Sequence, residues 1–136
     1  MNGPGGLSTW FSWLPPEGTV WHVAAGEYWD TVRTPHTLGA AAITRLGDQC
    51  GPVICDPWTR IVHFLVESGC VRRWDLPETV LCSESTYVAV PSPSADTTGL
   101  HWLIAPTFSR CITDPDLLHL ALRAAVDSPH HRREGS

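Results

Sequence analysis

The stretch CGPVICDPWTRIVHFLV, residues 50–66, sets two cysteines, an aspartate, an arginine and a histidine inside an apolar run. These residue types can ligate a metal, attack as a nucleophile or move a proton. A structural zinc site shows tightly paired thiolates such as C-x2-C. Here Cys50 and Cys55 are five apart, Cys70 and Cys82 lie far downstream, and no such pair occurs. A zinc centre is therefore not expected, and His130-His131 sits in a polar tail. Cys55 lies in an apolar strand, where a free cysteine behaves as a small hydrophobe. Pairing Cys55 with His63 as nucleophile and base would need both at one pocket, which their spacing does not impose. No G-x-S-x-G elbow is present, and GPGG at 3–6 precedes no strand–helix junction, so it is not a phosphate loop.

The polar residues carried on strands are the better candidates. Asp56, His63 and His101 are the catalytic candidates, with a histidine as acid or base. Arg33, Arg45, Arg60 and Arg110 could join His63 and His101 in a local basic pocket, with Trp58 or Trp102 stacking on a base. Ordinary structural roles compete. Asp56 starts a turn, Arg60 can stack on Trp58, and His63 can be a satisfied core histidine.

These residues must be positioned by a small set of elements. VWHVAA (20–25) and the second half of GEYWDTVRTP (26–35) read as strands. Thr34-Pro35 is expected to open a helix, with Thr34 as N-cap and Pro35 at the first helical position. HTLGAAAITRL carries Leu38, Ala41, Ala42 and Leu46 at helical spacing, with Gly47 as the stop. Its alanines let another element pack closely. GPVIC (51–55), the turn DPWT (56–59) and RIVHFLVES (60–68) form a hairpin. Ile61, His63 and Leu65 share one face of the second strand; Val62, Phe64 and Val66 share the other. Apolar residues on both faces predict a central strand covered on both sides. TVLCS, TYVAVPS and LHWLIAP supply three more strands. Thr113-Asp114-Pro115 opens a second helix along PDLLHLALRAAVD. The order β-β-α-β-β-β-β-β-α predicts an α+β fold, a mostly antiparallel central sheet with two packed helices.

A chain of 136 residues makes one core. Residues 1–18 read as a flexible Trp/Pro/Gly-rich arm, 19–127 as the domain and 128–136 as a disordered polar tail. Trp10, Phe11 and Trp13 on the arm are the candidate partner-binding residues. The net charge of −5 argues against sequence-blind binding to duplex DNA. All nine basic residues are arginine, so lysine chemistry is absent and any anion would meet a guanidinium. No apolar run reaches the length of a membrane span and no basic, apolar leader opens the chain. A cytoplasmic protein with reduced thiols and no membrane association is expected.

The run RLGDQCGPVICDPWTRIVHFLVESG, followed by STYVAVPSPSADTTGLHWLIAPT, resembles the N-terminal domains of actinobacterial bifunctional DNA primase/polymerases. The resemblance spans roughly residues 20–125. It implies a sheet of the archaeo-eukaryotic primase type, an Asp-x-Asp or Asp-x-Glu pair holding two metal ions, and a histidine on the nucleotide. Asp56 stands near the first acid, but Trp58 replaces the second. His101, or else His63, stands at the nucleotide position. Two-metal phosphoryl transfer needs carboxylates for both ions, so the resemblance implies a degenerate member. No cofactor is expected, a divalent metal only if the primase-like site is retained. The expected function is a non-catalytic regulatory or adaptor protein acting through a protein partner. Binding of a nucleotide or single-stranded nucleic acid at the Arg/His pocket is the alternative, and a small histidine-based enzyme the third.

Overall fold

A computed structural model of the chain describes residues 11–69, 74–84 and 86–128. Among them, seven strands form two antiparallel sheets and two helices of three turns pack together. This is the expected α+β fold in the expected element order. The strands are β1 (Val20–Ala24), β2 (Asp30–Pro35), β3 (Val53–Asp56), β4 (Ile61–Val66), β5 (Val80–Cys82), β6 (Tyr87–Pro91) and β7 (His101–Ile104). The helices are α1 (His36–Leu46) and α2 (Pro115–Val126), with a 3-10 turn (Gly47–Gln49) after α1. Five strands are ordered β5-β2-β4-β3-β7, while β1 and β6 form a separate two-stranded ribbon.

β4 lies at the centre of the five, and both its faces are covered. On one face Val62, Phe64 and Val66 join Val32, Val53 and Cys55 beneath Leu38 and Ala42 of α1 and Leu118 and Leu122 of α2. On the other, Leu65 and Ile54 pack with Val88 and Val90 of the ribbon and with Trp29 and Trp102. The strict alternation along β4 therefore feeds two cores from one strand. A Cβ on Gly39 would stand 2.4 Å from Val62 Cγ2, so glycine lets α1 settle onto the sheet.

The caps follow local chemistry. Asp114 Oδ1 accepts from the Asp116 and Leu117 amides at 2.8 and 3.3 Å and starts α2, with Pro115 in the first turn. Gly47, at φ 55°, ends α1. The start of α1 differs from the expectation. Thr34 belongs to β2 and its hydroxyl donates to the Pro35 carbonyl, so Pro35 stands at the cap position with no side-chain cap bond.

The segment expected as a loose arm folds back from Phe11 onward. Trp13 and Leu14 are buried in the ribbon-side core. Trp13 meets Trp29 edge-on at 5.6 Å between ring centroids, and Phe11 stacks on Phe108 at 6.0 Å. Burying Leu14 alone contributes about 1.5–3 kcal/mol. Together with the buried Trp13 ring, this offsets the roughly 1–2 kcal/mol of backbone entropy lost per ordered residue. Trp10, residues 1–10 as a whole and residues 129–136 of the expected tail lie outside the described residues.

Candidate functional site

The β3–β4 turn builds the site. Asp56 Oδ1 accepts from the Trp58 and Thr59 amides at 3.0 and 3.4 Å, and the Arg60 amide donates to the Asp56 carbonyl at 2.9 Å. The loop closes on Arg60 at φ 60°, a left-handed seat that glycine occupies readily and arginine rarely. The Arg60 carbonyl then accepts from the His36 amide at 2.8 Å, tying the turn to the first residue of α1. The backbone of Arg60 is thus bonded on both sides.

Beside this turn lies a cleft of about 590 Å³ lined by Pro35, His36, Thr37, Cys55, Pro57, Arg60, His101 and Leu103. It gathers the β2–α1 junction, the end of β3, the turn and the start of β7. Among the described residues its lining holds no carboxylate, although the chain carries a net charge of −5. His101 is only 7% exposed and its Nδ1 is 2.7 Å from the Gly99 carbonyl. A carbonyl only accepts, so Nδ1 carries the proton. Nε2, the acceptor nitrogen of this tautomer, makes no hydrogen bond among the described residues. The α1 amide end lacks a side-chain cap here and carries the positive end of the helix dipole. Pro35 and Arg60 also line a second, smaller cleft of about 390 Å³ with Arg33, Thr34, Thr59 and Glu78.

Cys55 stands opposite His101 in the β3–β7 register and lines the cleft. Burial, reinforced by Asp56, raises its thiol above the ordinary range. It is a protonated, soft wall, not an activated nucleophile. The Cys55–His63 pairing fails outright. Cys55 faces the helices, while His63 faces the opposite side of the sheet, next to Arg33 and Ile54 in register. His63 Nδ1 lies 3.3 Å from Thr31 Oγ1. Burial, then the Arg33 guanidinium, pushes His63 down to about 4, with Asp56 opposing weakly. At neutral pH it is an uncharged, packed histidine.

The expected basic pocket is therefore assembled in part. Arg60 and His101 meet in the main cleft, and Arg33 adjoins through the second. Arg45 does not join them, because it lies in the last turn of α1, about 14 Å along the helix from His36 at ~1.5 Å per residue. Arg110 is committed elsewhere. Its Nε donates to the Cys50 carbonyl at 2.9 Å and its Nη2 reaches the Cys50 and Gly47 carbonyls, closing the C-terminal end of α1. Trp102 is buried and donates Nε1–H to the Pro91 carbonyl at 2.9 Å, so it cannot stack on a ligand. Trp58 is 81% exposed on the turn. Trp13 is a core residue and not a partner surface; Phe11 is half-buried.

His36, Thr37 and Leu103 were not singled out from the sequence. The helix start after Pro35 is the signal that points to His36 and Thr37, whereas nothing local marks Leu103. Among the described residues, no group of three or more His, Cys, Asp or Glu side chains converges as metal ligands. No helix among them is long and apolar enough to cross a membrane. Comparison with protein-family models, curated proteins and solved structures gives no match.

Proposed function

We propose that this protein is a non-catalytic binding module that takes a phosphate-bearing ligand, a nucleotide or the end of a single strand, in the cleft around Arg60 and His101. The observation that carries the reading is Arg60 itself. A left-handed arginine costs about 1–2 kcal/mol of conformational energy that glycine would not incur. It stands at the mouth of a carboxylate-free cleft in an acidic protein. A guanidinium and helix amides form an anion-accepting set, while the unprotonated His101 Nε2 can accept a hydrogen bond from a hydroxyl or amino group of the same ligand. The apolar Leu103, Pro35 and Pro57 suit a base or sugar; Trp58, exposed on the same turn but outside the cleft lining, is the nearest candidate for stacking on a base that extends beyond it. The resemblance to primase/polymerase domains points the same way, and Trp58 in place of a second acid favours binding over phosphoryl transfer.

The test is a thermal melt with nucleotides, short single strands and inorganic pyrophosphate. A ligand at about a hundred times its dissociation constant adds about 2.7 kcal/mol. At about 2.1 cal/mol/K per residue that is a shift of roughly 9 °C. Arg60→Gly should abolish the shift and leave the free protein within about 1 kcal/mol of wild type, on the stable side. No shift with any ligand, or a full shift retained in Arg60→Gly, counts against the reading.

A regulatory or adaptor role through a protein partner is the second reading. Trp21, Tyr28 and Tyr87 favour it, standing 41%, 45% and 70% exposed around the ribbon.

A further inference from the structure

The ribbon offers a site of a different kind. Every residue of β1 lines a groove of about 440 Å³, together with Ser12, Trp13, Glu27, Tyr28 and Tyr87. β1 pairs on one side with β6, and among the described residues no strand lies beside its other edge. The Ala25 amide bonds to the Thr86 carbonyl, and antiparallel alternation then points the main-chain groups of Val23 and Trp21 toward β6. Those of Val20, His22 and Ala24 point outward into the groove, the Ala24 carbonyl accepting a long bond from the Glu27 amide at 3.4 Å that leaves its second lone pair open. Among the described residues the N–H and C=O of Val20 and His22 make no hydrogen bond off the ribbon.

Proteins normally protect such an edge with charge, proline, a bulge or shortness. β5 is three residues long, β7 carries a register shift against β3, and β6 ends in Pro91. β1, VWHVA, has none of these, and Val20 and Trp21 are 49% and 41% exposed.

We propose that the β1 edge pairs with β1 of a second copy, antiparallel across a two-fold axis at His22, to give a continuous four-stranded sheet. The register is self-complementary. His22 exchanges both main-chain bonds with its counterpart, Val20 lies opposite Ala24, and Trp21 lies opposite Val23 on both sides of the axis. Trp21 against Val23 is an aromatic/β-branched pair of the kind sheets favour. Charge selects the same patch. Two copies of net charge −5 repel on average, whereas β1 has no acid and the groove only Glu27, so little like charge is brought together there. The proposal does not depend on the cleft around Arg60.

The experiment is molar mass by light scattering and amide exchange by mass spectrometry on the full chain. Concentrations run from about 1 to about 100 µM, where dimers of modest affinity dissociate. The expected result is a mass rising toward twice 14.9 kDa, with slowed exchange over β1 at the upper concentrations. His22→Pro removes an outward N–H, and Val20→Lys charges an exposed edge position. Each should raise the dissociation constant at least tenfold. Should His22→Pro fail to fold, Val20→Lys decides. A wild-type mass that stays at one chain, or a dimer unmoved by the folded variants, overturns the proposal.

Discussion

Acid should destabilise this protein through one histidine. The imidazole of His63 is half-buried, faces Arg33 across the strands and lies 3.3 Å from Thr31 Oγ1. Burial first and Arg33 second lower it from the ordinary 6.5 to about 4. The unfolded chain then binds a proton between these values that the folded chain refuses. Stability therefore rises with pH across this window and is lost as pH falls from about 6.5 toward 4. At pH 4.5 most of this difference is expressed, about 2–3 kcal/mol, and at pH 7 almost none of it. The histidine should thus cost roughly 2 kcal/mol between these two conditions. His63→Gln keeps a polar group beside Thr31 and cannot titrate. Urea unfolding of both proteins at the two pH values isolates the effect, because carboxylates contribute the same background to each. Wild type should lose roughly 2 kcal/mol more than the variant. Parallel pH curves, or an imidazole titrating near 6.5 by NMR, would refute the burial argument.

Gly51→Ala should cost about 3 kcal/mol or more by chemical denaturation. Its Cβ would lie 2.5–2.6 Å from the Ile112 carbonyl group, which is main chain and cannot yield like a side chain. Alkylation followed by mass spectrometry should mark Cys111 before Cys50. Burial raises the Cys50 thiol to about 11, leaving about one thiolate in a thousand at pH 8, while Cys111 is half-exposed. Early labelling of Cys50 in the folded protein would contradict its placement. Asp114→Ala removes the acceptor for two amides and should lower the unfolding free energy by about 1 kcal/mol, whereas Asp114→Asn should recover most of it.

The hairpin of residues 50–66 shows where sequence reading holds and where it ends. Alternation along Ile61–Val66 announces a strand covered on both faces, and DPWT announces the turn. Asp114-Pro115 announces the second helix. Thr34 misleads, because strand pairing with Val62 extends β2 through Pro35 and removes the threonine from the cap position. Trp13 and Trp102 look like contact residues by type. Their rings are large apolar surfaces, and the ribbon offers them a buried seat against Trp29. The arginines are equally ambiguous, since a guanidinium serves a ligand as readily as it serves a carbonyl. Only the path of the chain sends Arg110 to Cys50 and leaves Arg60 at the cleft.

By itself the sequence determined the elements, their order and the two-faced central strand. Periodicity, caps and turns depend on residues within a few positions of one another. The tertiary structure alone decided that β1 and β6 leave the main sheet as a ribbon, and which side of the sheet each polar residue faces. It alone brought His36, Cys55, Arg60 and His101 to one cleft while turning His63 to the other side. Those residues come from the β2–α1 junction, the central hairpin and β7. Their meeting depends on strand order and register, which are set by burying two cores at once and not by local pattern.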